Sequence, residues 1–487
     1  MTKKILLQIL VIIALASLLR FPLTAQGFFA FTSDQGRDLL KVKEVVEDKN
    51  LTLIGPTTGL PGIFYGPWWY YYLAPIYLIS AGDPQNITLS FVFLGIISLV
   101  SLYLLIYKLT KNQIVSFGIS STAAMSQSLL ASATQIWSPS LVPPLIIFCI
   151  FCMQKIYQRK KPLWFLLLGL TTGLIFDSEA AFGIVFIFSS ILTSTFFPKI
   201  FLKKTYGYFF IGIFIVILPR ILFELKNQFL ISKAIINWIS HPQIYQEKLS
   251  IVERIINRSD LFFLNFSQTL TQSDKLKAII PLMIFVLLIS RSRKLLYRNF
   301  IFKFLTLITL FAFIGFVIYP DAVWDYYLVG LPIITLTLSG LIFSYNYKSN
   351  KKIVISSMIL IFLLNFYSKT TSPFAITWQG DGAIYRNQVK VMNSLQEKLK
   401  GDYSLYIYSP SGVDFPFTYL LQRYRAQGEI DAPKENQSRF YLIIRDDPTH
   451  TYLLTGWYGD KVKDRPTLRK RNEFPGNIIV EEHQVNG

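Results

Sequence analysis

The chain has 487 residues, of which 52% are hydrophobic, 16% aromatic and only 16% charged, with a mean hydropathy of +0.42. A soluble domain carries about 25% charged residues, so this composition excludes an ordinary soluble protein, a disordered chain and a coiled coil. A formal charge of +19 raises nucleic acid as a partner until the positions of the cations are read.

Apolar runs able to cross ~30 Å of hydrocarbon recur along the chain. They are predicted at residues 5–24, 87–107, 113–134, 140–154, 163–177, 180–197, 206–222, 276–290, 301–319, 326–345 and 352–368. The first follows Lys3 and Lys4, continues to Leu19 and lacks a cleavage site, so it reads as a retained span. The basic residues fall in alternate loops: Lys3 and Lys4; Lys108 and Lys111; Lys155, Arg159, Lys160 and Lys161; Lys199, Lys203 and Lys204. The same set continues with Arg291, Arg293, Lys294 and Arg298, then Lys348, Lys351 and Lys352. The short intervening turns carry acids instead, Asp177 with Glu179 and Asp321 with Asp325. By the positive-inside rule the N-terminus is cytoplasmic and the tail lies outside. The positive excess is therefore a topology signal, and no aromatic–basic interleaving points to nucleic acid.

The expected architecture is a polytopic α-helical membrane protein of about 11 transmembrane helices, N-in and C-out. Residues 1–368 form its membrane module, with outer loops at 25–86 and 223–275. Residues 369–487 form an extracytoplasmic α/β domain. In that tail Tyr385, Val389, Met392, Leu395 and Leu399 keep helical spacing. Ser404–Tyr408, Arg439–Ile444 and Ile478–Glu482 read as strands, and Thr418–Gln427 as a second helix.

Cys149 and Cys152 sit in an apolar run and read as a buried pair of small side chains. His241, His450 and His483 have no metal-ligand spacing. No inverted repeat appears, and charges avoid the middle of the spans, which weakens a transporter reading. The acids gather at the outer ends of the spans, so chemistry belongs at the outer membrane–water boundary.

The first outer loop is the most informative stretch. Thr32 and Gln35 have capping-box spacing, so a helix is expected to start there. Leu39, Val42 and Val46 oppose Arg37, Lys41, Glu44 and Asp48, the pattern of an amphipathic helix lying on a membrane surface. Asp34 falls in its first turn and Asp38 one turn later on the same face. The bland reading of Asp34 is an acid favourable at a helix N-terminus. Gly55-Pro56-Thr57 follows, then the run from Gly62 through Tyr65, Gly66, Pro67, Trp68, Trp69 and Tyr70 to Pro75. The aromatics suit an interfacial belt, and the glycines and prolines suit a shaped loop.

These residues, in this order, resemble the first extracytoplasmic loop of bacterial GT-C glycosyltransferases. The group is the family 39 relatives of protein mannosyltransferases and aminoarabinose transferases. Gln135-Ile136-Trp137-Ser138-Pro139-Ser140-Leu141 resembles the family's W-N-P-S-L turn, and Asp325-Tyr326-Tyr327-Leu328 its D-Y-Y-L turn. The resemblance covers residues 1–368. It implies transfer of a sugar from a polyprenyl-phosphate carrier to a lipid, glycan or protein acceptor on the outer face, with inversion. It implies Asp34 as general base on the acceptor hydroxyl. Arg37, Asp38, Tyr65, Tyr70, Asp177, Glu179, Arg220, Asp325 and Tyr326 are the candidate substrate contacts.

Two departures from the family pattern stand out. Gln35 replaces an acid found beside the base in some relatives, so a second carboxylate must come from Asp38, Asp177, Glu179 or Asp325. Phe176-Asp177-Ser178-Glu179 replaces a histidine–aromatic pair; a solvated turn is the bland reading there. Arg220 suits either snorkelling to the interface or a carrier phosphate. A divalent cation, Mg²⁺ or Mn²⁺, is compatible with outer carboxylates, and no spacing demands one. Three other readings stay open: a lipid-linked oligosaccharide ligase or polymerase, a non-enzymatic transporter of lipid-linked sugar, and a glycan-binding pseudo-enzyme.

Overall fold

The structure, a computed structural model, describes residues 2–201, 203–240, 249–271, 275–292, 295, 299–371, 381–410, 412–446, 450–462 and 468–485. His241, Arg293, Lys294 and Arg298 lie outside the described residues. The chain divides into two compact units. The first comprises Met1–Phe21, Leu51–Tyr72 and Ser90–Ser372; the second comprises Pro22–Asn50, Leu73–Leu89 and Pro373–Gly487.

The first unit is helical, and each predicted run contains helix. In chain order these are α1 (Lys3–Ala25), α4 (Pro84–Thr110), α5 (Gln113–Met125), α6 (Gln127–Ser132), α7 (Val142–Arg159), α8 (Pro162–Ser178), α9 (Ala180–Thr195) and α10 (Lys203–Lys226). There follow α13 (Lys275–Arg291), α14 (Phe300–Ile318), α15 (Leu331–Tyr347) and α16 (Lys351–Thr371). Among the described residues, six helical stretches are long and apolar enough to cross a membrane: Lys3–Ala25, Pro84–Thr110, Ser138–Arg159, Thr205–Lys226, Phe300–Ile318 and Asp325–Tyr347. The helices are apolar on both faces. Ile12, Ile106, Ile150 and Leu336 are buried inside, while Leu7, Phe188, Phe210 and Val286 face outward. A helix apolar all round belongs in hydrocarbon rather than water.

The predicted run 113–134 is two helices, because Ser126 adopts an extended conformation (φ −57°, ψ 129°). Its break leaves carbonyls at the end of α5 without intrahelical partners. Arg20 of α1, buried and not singled out by any sequence pattern, donates from Nη1 to the Ala124 carbonyl there at 2.8 Å. The segment expected as an outer loop carries α11 (Leu230–Ser240) and α12 (Ile251–Leu270). Arg258 of α12 donates to the Phe316 and Asp321 carbonyls at 3.3 and 2.5 Å, and Arg254 to the Ile318 carbonyl at 3.1 Å. Cations at a helix C-terminus satisfy its last carbonyls, so α12 clamps the end of α14.

Local contacts join some of the basic loops. Lys108 and Lys155, from two loops expected on one side, share the Phe151 ring at 4.1 and 5.5 Å. Lys160 Nζ donates to the Lys199 carbonyl at 3.1 Å, joining two further basic loops.

In the second unit, β1 (Ser404–Tyr408), β2 (Arg439–Arg445), β3 (Leu468–Phe474) and β4 (Ile478–Gln484) form one sheet in the order β1-β2-β4-β3. β1 and β2 are parallel; β4 is antiparallel to β2 and β3. The predicted first helix of the tail is α17 (Tyr385–Leu395) and the second is α18 (Phe415–Ala426), with α19 (Thr451–Val462) preceding β3. β2 is the buried strand, from Phe440 to Ile444. β3 reads Leu-Arg-Lys-Arg-Asn-Glu-Phe, a charged edge strand that discourages further pairing.

The segment expected as the first outer loop contributes α2 (Ser33–Val46) to this second unit. Its apolar stripe, expected to lie on lipid, is covered by protein instead. Leu39, Val42 and Val45 are buried while Val46 of the expected stripe is half-buried, and α2 packs on α18. Gly36 permits the close approach, since a Cβ there would strike the Phe415–Pro416 backbone. An amphipathic stripe specifies burial, not the identity of the covering surface.

Candidate active site

The candidate residues fall into two groups, one in each unit. In the second unit Thr32 caps α2, its N–H donating to Gln35 Oε1 at 2.8 Å, so Gln35 closes the cap. Asp34 stands in the first turn with 59% of its side chain exposed. Arg37 Nη1 lies 3.0 Å from Asp34 Oδ1, and its Nη2 lies 2.9 Å from Asp38 Oδ1. Arg37 Nε also donates to Asp38 Oδ1 at 3.1 Å. Asp38 is buried, so it fixes the guanidinium, and the guanidinium orients Asp34. The arginine expected near a phosphate is thus shared between two carboxylates.

In the first unit Gly55-Pro56-Thr57 and Phe64-Tyr65 pair as a short antiparallel hairpin. Gly55 N–H donates to the Tyr65 carbonyl and Tyr65 N–H to the Pro56 carbonyl, both at 2.9 Å. The hairpin leads into α3 (Trp68–Ile79), so the aromatic run opens a helix rather than a bare belt. Tyr70 is buried in its first turn. The Trp68 N–H donates to Asp177 Oδ2 at 3.2 Å, and the Gly66 N–H donates to the same carboxylate. A Cβ at Gly66 would fall on that carboxylate.

Asp177 ends α8, and Arg220 follows Pro219 in α10. Small residues bring these two helices together: Gly169 and Gly173 lie four apart on α8, and Gly212 faces them from α10. Arg220 Nη2 stands 3.1 Å from Asp177 Oδ1, off the hydrogen-bond line, so this is an ionic contact. The guanidinium also covers the Phe176 ring at 4.3 Å. Arg220 therefore pairs with an acid within the protein, and Asp177 is buried rather than solvated.

Glu179 is equally buried. It caps α9, accepting the Ala181 N–H at 3.3 Å, while its Oε2 meets no hydrogen-bond partner among the described residues. Burial pushes its carboxyl up to about 8, against the pull of the Ala181 N–H, so it holds a proton at neutral pH. The Tyr65 hydroxyl accepts the Ala180 N–H. Burial, then the neighbouring Glu179, Tyr326 and Tyr327, push the Tyr65 phenol well above its ordinary range. Tyr326 stacks edge-on against Trp137 at 5.0 Å and against Tyr327 at 4.8 Å. The two turns that carry the later sequence motifs therefore meet. Asp325 stays exposed at the start of its turn.

The first-unit group is thus Tyr65, Asp177, Glu179, Arg220 and Tyr326, joined by Trp68 and Tyr327, which the site reading omitted. Both omitted residues lie inside quoted motifs; what sequence lacked was the pairing partner. Among the described residues no three His, Cys, Asp or Glu side chains gather as a metal site.

No protein-family model and no curated protein matches the chain. Two crystal structures of ArnT from Cupriavidus metallidurans match in fold, each over 97% of this chain and 97% of theirs, at 10% identity. The form bound to undecaprenyl phosphate gives a TM-score of 0.62 and the apo form 0.61. The likeness spans both the helical unit and the α/β tail. The chain is a polytopic helical membrane protein with an ArnT-like GT-C fold.

Proposed function

We propose that the protein is an inverting membrane glycosyltransferase that uses a polyprenyl-phosphate sugar on the extracytoplasmic face. One observation carries the reading: end-to-end fold likeness to an ArnT that binds undecaprenyl phosphate. The ordered loop motifs support it independently.

In this mechanism Asp34 accepts the proton of the acceptor hydroxyl. The freed oxygen attacks the anomeric carbon, and the bond to the carrier phosphate breaks in the same displacement. Polyprenyl monophosphate leaves, and the anomeric centre inverts. Exposure suits Asp34 to this task, and Arg37 holds its carboxylate in place. A base must reach the proton at about 2.6–3.2 Å. Protonated Glu179 presents a donor with no partner among the described residues, near the Tyr65 and Tyr327 phenols. Within the first unit these groups suit hydrogen bonds to a sugar's hydroxyls. Asp177 and Arg220 hold the Tyr65–Trp68 strap against α8 and α10.

The test is donor profiling with the full chain in nanodiscs and a membrane extract as acceptor. Polyprenyl-monophosphate sugars should be consumed with release of polyprenyl monophosphate. Consumption of polyprenyl-diphosphate oligosaccharide alone would favour the ligase reading. Vesicle transport of lipid-linked sugar without covalent transfer would favour the transporter.

A further inference from the structure

The second unit holds a polar cleft of about 460 Å³ that the transfer step does not use. This volume lies in the ~300–1,000 Å³ range of small-molecule sites. Ser33, Asp381, Ser409, Arg445, Asp446 and Asn477 contribute to its lining. Ser409 follows β1 and Asp446 follows β2, the two adjacent parallel strands. The cleft therefore sits at the carboxyl end of the parallel pair, where open α/β sheets bind ligands. The β3–β4 turn closes one side. Gly476, at φ +85°, packs its backbone on Gly382, which brings Asp381 and Asn477 to one rim. The Asp446 N–H donates to the Asn477 carbonyl at 3.3 Å, joining the rim to the strand end.

The charge pattern narrows the ligand. Asp381 and Asp446 supply two carboxylates. The one cation named in the lining, Arg445, is engaged by Asp414 and by the Gly382 carbonyl at 3.0 Å. A phosphate group would meet net negative charge here. Carboxylate, amide and hydroxyl groups instead match alternating hydroxyl donors and acceptors, and an added amine would be welcome.

We propose that this cleft binds the acceptor as a hydroxyl-rich glycan, neutral or aminated. The acceptor role rests on the transfer reading above, because Ser33 of the lining adjoins Asp34 in α2.

The experiment uses the full chain in nanodiscs, an array of neutral and amino-sugar oligosaccharides, and polyprenyl monophosphate binding in parallel. Selected oligosaccharides should bind. Asp446→Arg should weaken that binding at least tenfold and Asn477→Gly severalfold, with polyprenyl monophosphate binding unchanged. Glycine keeps the left-handed backbone of Asn477 (φ +55°), so that variant tests the amide alone. Asp34→Asn should still bind the oligosaccharides. If none on the array binds, or both cleft variants bind like the parent, the cleft proposal is wrong. Transfer at an unchanged acceptor KM in Asp446→Arg would sink the cleft and spare the transferase. Cleft-dependent binding with no transfer to any bound glycan, while a membrane extract still consumes the donor, would sink the acceptor role and spare the transferase.

Discussion

Replacing Glu179 by Gln gives a prediction with a definite sign. The folded chain holds the Glu179 proton up to about pH 8, while an exposed glutamate releases it near 4.5. Between those values the unfolded chain binds fewer protons, so stability falls as pH rises through the window and levels off above it. A separation of this size is worth roughly 3–5 kcal/mol. Glutamine is the neutral isostere, keeps a donor for Oε2's place and cannot ionise. Apparent Tm of parent and Glu179→Gln, followed in nanodiscs from pH 5 to pH 8.5, should therefore diverge. The parent should lose about 5 °C more than the variant, taking the unfolding entropy typical of a chain this long. Other titrating groups are common to both and cancel. The reaction should show the same group: the parent rate falls above about pH 8, and this limb disappears in the variant. Parallel melting curves with an unchanged alkaline limb would refute a buried, protonated Glu179.

Two further substitutions test the packing around the two candidate groups. Arg220→Met leaves Asp177 buried without its cation and should cost about 3–5 kcal/mol, with much of the loss recovered in Asp177→Asn/Arg220→Met; an additive double variant in thermal melts would show that the two residues are not coupled. Gly36→Ala raises helix propensity by about 1 kcal/mol, yet should lower the resistance of α2 to proteolysis, because the new Cβ meets the Phe415–Pro416 backbone; a more resistant variant would contradict the α2–α18 contact.

The legible features were those with a local physical cause. Apolar runs marked the helices because a spanning helix must satisfy its backbone internally. Thr32 and Gln35 marked the start of α2, and β-branched and aromatic residues marked β1, β2 and β4. β3 was illegible: an exposed edge strand of charged residues has no alternating pattern to read. Ser126 gave no sign of the break between α5 and α6, since neither Pro nor Gly marks it. At the site, Asp177, Glu179, Tyr65 and Tyr326 were each singled out from motifs, yet their convergence depends on α8, α9 and α10 meeting through glycines. The Arg220–Asp177 pair and the double engagement of Arg37 were not readable, because spacing names neighbours on one helix and not partners across several.

The central claim is that Asp34 takes the proton of an acceptor hydroxyl during transfer from a polyprenyl-phosphate sugar. Its most direct measurement is single-turnover transfer by Asp34→Asn in nanodiscs, with donor binding followed in parallel. The account predicts a rate about 10²–10⁴-fold below the parent, with the donor still bound and the fold intact by apparent Tm. Transfer at the parent rate by a folded Asp34→Asn variant would contradict it.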